Sequence, residues 1–190
     1  MTPAGRHPAT GGATPAAAPP APQPAASPAT QPAFERFLLL LGRLNYSWTN
    51  TESLLIHLIA GLARTDKETA VVLFLTLNTT RARIDLVDRL AKLDRVAPPE
   101  REAVLALTRR MLRLAGLRNT LNHCIYAFDA ESGDLSTIRM RVADRRKEIR
   151  MGERAALDAG TLRDIEVSLS EIAQLNNDIW RHIKAFGYPA

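Results

Sequence analysis

A single cysteine, Cys124, stands among 190 residues, which excludes an internal disulfide and any cysteine-rich zinc site. Four scattered histidines add no cluster with metal-ligand spacing, so neither a metal nor another cofactor is expected. Long apolar runs are also missing. FLLLLG, Phe37 to Gly42, falls far short of the roughly 20 residues that cross a bilayer. The first residues lack both the basic start and apolar run of a secretory signal and the many arginines of a transit peptide. The expectation is a soluble, cytoplasmic protein with no membrane partner. Lysine is scarce: of 25 basic residues only four are lysines. The formal charge of +5 is compatible with a nucleic-acid partner, because phosphate is the commonest large polyanion in a cell. Charge alone identifies nothing, since arginine, alanine and proline also rise with genomic GC content.

Residues 1–33 hold nine of the twelve prolines and eleven alanines, with Arg6 the one charged side chain. Such a segment buries too little apolar surface to offset the entropy of ordering it. It reads as a disordered, partly polyproline-like tail. Residues 34–190 read as one helical domain. From Phe34 to Ala63, Phe37, Leu41, Leu44, Trp48, Leu55, Leu58 and Leu62 recur at three- or four-residue spacing, the stripe of an amphipathic helix about 45 Å long. Thr51 and Glu52 form the gap in that stripe. Thr65 with Glu68 resembles a capping box and predicts a well-buried helix from Asp66 to about Asn78. Ile84, Val87, Leu90 and Leu93 continue helically to Arg95, after a kink near Asn78 to Thr80. Pro98 and Pro99 then end one helix and begin the next.

That next helix is expected from Pro99 to about Tyr126, with Val104, Leu107, Met111, Leu114, Leu117 and Leu121 on its core face. Gly116 within it costs about 1 kcal/mol relative to alanine, which a close approach by another helix would explain. Beyond Asp129 to Asp134 the period changes to two at Ile138, Met140 and Val142, and again at Ile149 and Met151. This predicts a β-hairpin turning near Asp144 to Lys147. A last helix from Thr161 buries Leu162, Ile165, Leu169, Ile172, Ile179, Ile183 and Phe186. The fold class is all-α: an up-and-down bundle of four or five helices with a small β-hairpin insert before the last helix.

The stretch LRNTLNHCIY, Leu117 to Tyr126, crowds Arg118, Asn119, Asn122 and His123 into six residues at a helix end. Histidine exchanges a proton near neutrality, and arginine offers phosphate a permanently charged fork of donors. Attack of a ribose 2′-hydroxyl on its neighbouring phosphate needs those two services and no metal. The bland alternative is a cationic helix C-terminus. With four histidines and twenty-one arginines, chance supplies about one Arg–His pair at suitable spacing, whereas an Asn directly after the Arg makes the match more than twentyfold rarer.

Arg118-Asn119-x-x-x-His123 on a bundle helix resembles the HEPN (higher eukaryotes and prokaryotes nucleotide-binding) superfamily. The resemblance covers the helical order from about Phe34 to Phe186, though its specific part is six residues. It implies a metal-independent endoribonuclease in which Arg118 and His123 from two subunits of a homodimer meet in one cleft. It further implies a toxin or defence role with an antitoxin protein as possible partner. Some members are inactive binding modules, so a non-catalytic helical scaffold that dimerises and binds protein or nucleic acid is the alternative.

Asn119 and Asn122 are expected to orient the phosphate or the imidazole, and Glu52 to pair with Arg118 or orient His123. Arg139, Arg141, Arg145 and Arg146 of the basic hairpin are expected to guide RNA by its phosphates. Cys124-Ile125-Tyr126 reads as a buried anchor behind His123. Asn45 and Asn50 are further polar positions of the first helix that nothing in the sequence distinguishes from surface residues. On a regular helix Arg118 and His123 point about 140° apart, so the reach of the arginine, a distorted helix end or a second subunit must close the gap.

Overall fold

The computed structural model describes residues 31–128, 135–145 and 148–190; within these, residues 31, 33, 128, 135, 139–145 and 148–153 are described by backbone alone. The Pro/Ala-rich tail up to residue 30, the loop Asp129 to Asp134, and Arg146 and Lys147 lie outside the described residues. The architecture is an all-α bundle with a small antiparallel sheet inserted before the final helix. Its helices are α1 (Gln31–Ser53), α2 (Leu55–Ala63), α3 (Lys67–Thr76), α4 (Thr80–Ala91), α5 (Pro98–Asn122) and α6 (Ala159–Ala185).

The expected first long helix is split at Leu54. There the ladder tightens, with Leu54 N–H donating to Thr51 O at 3.2 Å and His57 N–H to Leu54 O at 3.1 Å. Its apolar stripe is the centre of the core: Phe37, Leu44, Trp48, Leu55, Leu58 and Leu62 are all buried. The gap residues are buried as well. Thr51 Oγ1 accepts from Asn176 Nδ2 of α6 at 3.1 Å, and Glu52 is bonded on three sides. α2 ends where Arg64 enters the left-handed region at φ 55°, letting its N–H reach Ala60 O and Gly61 O.

That exit moves the next cap by one residue. Asp66, not Thr65, caps α3: its Oδ1 accepts from Thr69 N–H at 2.8 Å and its Oδ2 from Thr69 Oγ1 at 2.8 Å. These hydrogen bonds hold the Asp66 carboxyl below its usual pKa. α3 is not the well-buried helix expected. Ala70 and Phe74 face the core, whereas Val72 and Leu75 are 60% and 64% exposed. Thr79 caps α4 through Ala82 N–H at 3.1 Å, which confirms the break near Asn78 to Thr80.

Pro98 and Pro99 occupy the first positions of α5, where a missing N–H costs nothing. Val104, Leu107, Met111 and Leu121 are buried, and Leu114 and Leu117 are half-buried. Gly116 has no neighbour within 4 Å of where a Cβ would stand, so the expected close helix approach is not made there. Gly61 is the glycine that requires one: a Cβ would lie 2.2 Å from the Tyr188 ring.

α5 stops four residues early. His123 caps it, and β1 (Cys124–Phe128) begins at the next residue, pairing with β2 (Leu135–Arg145), which pairs in turn with β3 (Glu148–Ala156). The expected hairpin is β2–β3, with Arg145 opposite Glu148, and β1 widens it to three strands. A register shift interrupts β2–β3 between Arg139 and Val142. Asp158 then caps α6 by accepting from Thr161 N–H at 2.9 Å. In α6, Ile165, Ile172, Leu175, Ile179 and Ile183 are buried, while Phe186 beyond its end is exposed. The last residues return to the core: Tyr188 is buried over Gly61, its hydroxyl donating to Glu100 Oε1 at 2.5 Å, and His57 Nδ1 lies 2.6 Å from Pro189 O.

Candidate functional site

Four of the polar residues singled out by sequence lie at the seam between α1 and the end of α5. Asn45 bonds two of them, Arg118 and Asn122, and Arg118 in turn bonds Asn119. Arg118 Nε donates to Asn45 Oδ1 at 3.3 Å, and Arg118 Nη1 donates to Asn119 Oδ1 at 3.2 Å. Asn122 and Asn45 bond through their amides, with Asn122 Nδ2 to Asn45 Oδ1 at 2.8 Å. Asn45 Nδ2 also reaches Leu41 O at 3.1 Å, which fixes that amide on its own helix. Amide orientation follows from the network around it. Turning the Asn122 amide over lets its oxygen accept from Arg118 Nε at 2.9 Å and Nη2 at 3.2 Å. In either orientation at least two of the five guanidinium N–H groups have no partner among the described residues.

Arg36, Arg81, Arg83, Arg110 and Arg181 each meet a carboxylate. Arg118 shares with Arg95 and Arg101 the lack of a carboxylate partner among the described residues, but those two donate to backbone carbonyls and Arg118 to side-chain amides. A charge braced by amides keeps its geometry while its field remains uncompensated. That is the condition for receiving an external anion.

His123 is exposed, and its backbone N–H donates to Asn119 O at 3.2 Å. Its ring makes no hydrogen bond among the described residues, and Arg118 and His123 are not bonded to each other within one chain. The segment after it is anchored, though not as expected. Cys124 is half-buried with Sγ donating to Thr120 O at 2.9 Å, and Tyr126 donates to Leu121 O at 2.5 Å while its ring meets Phe37 edge-on at 5.1 Å. Burial pushes the Tyr126 phenol above its ordinary pKa. Ile125, expected to be buried, is 50% exposed.

Glu52 is not brought to this cluster. It accepts from Trp48 Nε1 at 3.0 Å, from Thr80 Oγ1 at 2.7 Å and from Arg83 Nη1 at 3.0 Å. Its place is structural, joining α1 to α4, because a buried carboxylate must spend its acceptor capacity on fixed donors. The backbones of Arg139, Arg141 and Arg145 lie in β2, with Arg139 opposite Cys124, beside the end of α5. Arg146 lies outside the described residues.

Asn45 is named by sequence only as an undistinguished polar position that could join a cleft, because its role depends on which helix packs beside α1. Its helical spacing, four residues after Leu41 and three before Trp48, places it at the edge of the core stripe, and that is the signal that could have found it. A hollow of about 430 Å³ lies elsewhere on α5, against α6, lined by Arg110, Arg113 and Glu171. It contains no member of the Arg118 cluster, which is an open surface.

Among the described residues no group of three or more His, Cys, Asp or Glu is placed to hold a metal ion, and no helix is long and apolar enough to cross a membrane. No family model matches the chain, and neither a curated protein nor a solved structure matches it. What is shown is a helical bundle with an inserted sheet and an amide-braced arginine at one surface seam.

Proposed function

We propose that the chain is a metal-independent endoribonuclease of the HEPN type, acting as a homodimer in the cytoplasm in a toxin or defence role. The observation that carries this reading is Arg118: a guanidinium positioned by Asn45 and Asn119, with unused donors and no carboxylate partner among the described residues. Five residues on, an exposed imidazole sits at the helix end. In the reaction, His123 takes the proton of a ribose 2′-hydroxyl as that oxygen bonds to the adjacent phosphorus. The phosphorus–5′-oxygen bond breaks, and the leaving oxygen receives a proton from the imidazolium. A 2′,3′-cyclic phosphate and a 5′-hydroxyl result. Arg118 stabilises the charge that builds on the phosphoryl oxygens. A second copy supplies the opposing Arg118 and His123, which answers their divergence on one helix. An antitoxin that covers the seam is the expected protein partner, and the basic β2 strand offers phosphate contacts.

The test is cleavage of mixed RNAs with EDTA present, beside DNA of the same sequence and the Arg118→Ala and His123→Ala variants. Cleavage is expected of RNA only, leaving cyclic phosphate ends and falling at least about 100-fold in His123→Ala. Equal activity in all three proteins, or none in the wild type across RNA and salt conditions, removes the support.

One observation favours a second reading, a non-catalytic module that binds protein or nucleic acid. The His123 ring has no orienting partner among the described residues, whereas a proton-transfer imidazole is commonly held by one. Under this reading RNA binds Arg118 without being cut, and His123→Ala changes nothing.

A further inference from the structure

Six of the seven asparagines, all but Asn78, stand on α1, the end of α5, and α6. Asn45, Asn119 and Asn122 are those around Arg118. The other three, Asn50, Asn176 and Asn177, line a separate groove of about 300 Å³ between α1 and α6. Tyr46 stands at its edge, 73% exposed, and Ile172 contributes a buried apolar floor. Among the described residues no charged side chain lines it. Asn176 Nδ2 is committed to Thr51 Oγ1 at 3.1 Å, which leaves its carbonyl oxygen for a ligand. The amides of Asn50 and Asn177 have no partner among the described residues.

We propose that this groove receives one base of a single-stranded RNA, with Tyr46 stacked on the base and the three amides reading its edge. An asparagine presents donors and an acceptor side by side, as a Watson–Crick edge does, and an exposed aromatic ring is the usual platform for an unpaired base. The lack of charge in the groove disfavours phosphate there, and the apolar floor suits a flat ring system.

Position on the helix supports the pairing of the two sites. Asn45 and Tyr46 are consecutive on α1, so their side chains diverge by about 100°. Asn45 turns to α5 and Arg118, and Tyr46 turns to the groove with α6. A phosphate at Arg118 and a base over Tyr46 are therefore separated by about the breadth of one helix, roughly 10 Å. One strand can cross that. The choice of ligand rests on the RNA reading of the Arg118 site, but the groove itself does not.

The experiment measures anisotropy of labelled 2′-O-methyl octamers of A, C, G and U, which 2′-hydroxyl attack cannot cut, beside an abasic octamer with the same phosphates. The full chain should bind at least one base octamer about tenfold tighter than the abasic strand. Tyr46→Ala should abolish that preference, Tyr46→Phe should keep it, and Asn177→Asp should change which base is preferred, since a carboxylate only accepts. Arg118→Ala should weaken every octamer, the abasic one included. Equal binding of all five strands, an unchanged preference in Tyr46→Ala, or no binding of any octamer overturns the base groove; the last result points to a protein segment as its occupant. A wild-type chain that shows no base preference yet cleaves RNA overturns the groove and leaves the Arg118 reading standing. Base preference that survives while no RNA is ever cut does the reverse.

Discussion

Replacing Glu52 by alanine should destabilise the bundle. The Trp48 side chain is fully buried and its indole N–H would lose its acceptor, at about 1–3 kcal/mol. Arg83, whose side chain is 18% exposed, would lose its carboxylate but keep Phe74 O at 3.2 Å and the Phe74 ring at 4.0 Å. That loss is therefore held to about 1–2 kcal/mol. Thr80 can turn to water. The sum, about 2–5 kcal/mol, overlaps the cost of breaking other buried pairs and is a large part of a domain's total stability. In a domain of this size it lowers the melting midpoint by about 4–20 °C.

Glu52→Gln keeps the shape and one acceptor, so it should cost about half as much. Urea unfolding followed by tryptophan fluorescence reads both, and a cycle with Arg83→Met isolates the pair. A Glu52→Ala loss below about 1 kcal/mol would show that the three bonds do not stabilise the junction. RNA cleavage lost at unchanged stability would return Glu52 to the site.

Two further predictions concern the chain's end. Gly61→Ala drives a methyl into the Tyr188 ring and should cost about 1–3 kcal/mol, yet cost little in a Tyr188→Ala background; additive effects would refute that contact. His182 is held below its ordinary pKa of 6.5 by burial, with Glu100 pulling the other way and the Tyr188 hydroxyl 3.5 Å from its ring. The unfolded chain therefore takes up this proton first, and stability present above pH 6.5 should fall as pH drops through the lowered folded value. Urea midpoints between pH 7.5 and 5.5 check this, and His182→Gln should flatten that part of the dependence.

The bundle was legible because its core obeys helical spacing: Phe37, Leu44 and Trp48 on α1, and Ile165, Ile172 and Ile179 on α6, are buried as their period requires. Apolarity without period was misleading. VVLFLTL reads as buried, yet α3 lies on the bundle's outside and only Phe74 of that run turns in. The helix ends missed by a residue or a few because caps depend on how the chain arrives. Arg64 in the left-handed region hands the cap to Asp66, and strand pairing with β2 takes Cys124 to Phe128 from the helix. At the site, Arg118, Asn119, Asn122 and His123 were visible as one string. Asn45 and Tyr46 were not, because their importance comes from α5 and α6 packed on either side of α1.

His123 is the single residue between the last turn of α5 and the first pair of the sheet, Cys124 with Arg139. Its backbone is thus a rivet joining two plates: the helix holds its N–H, and the ladder starts at its carbonyl side. The position of the His123 backbone is therefore set jointly by the last turn of α5 and the first rung of the sheet, so a substitution that loosens the pairing of Cys124 with Arg139 would also free that end of the helix.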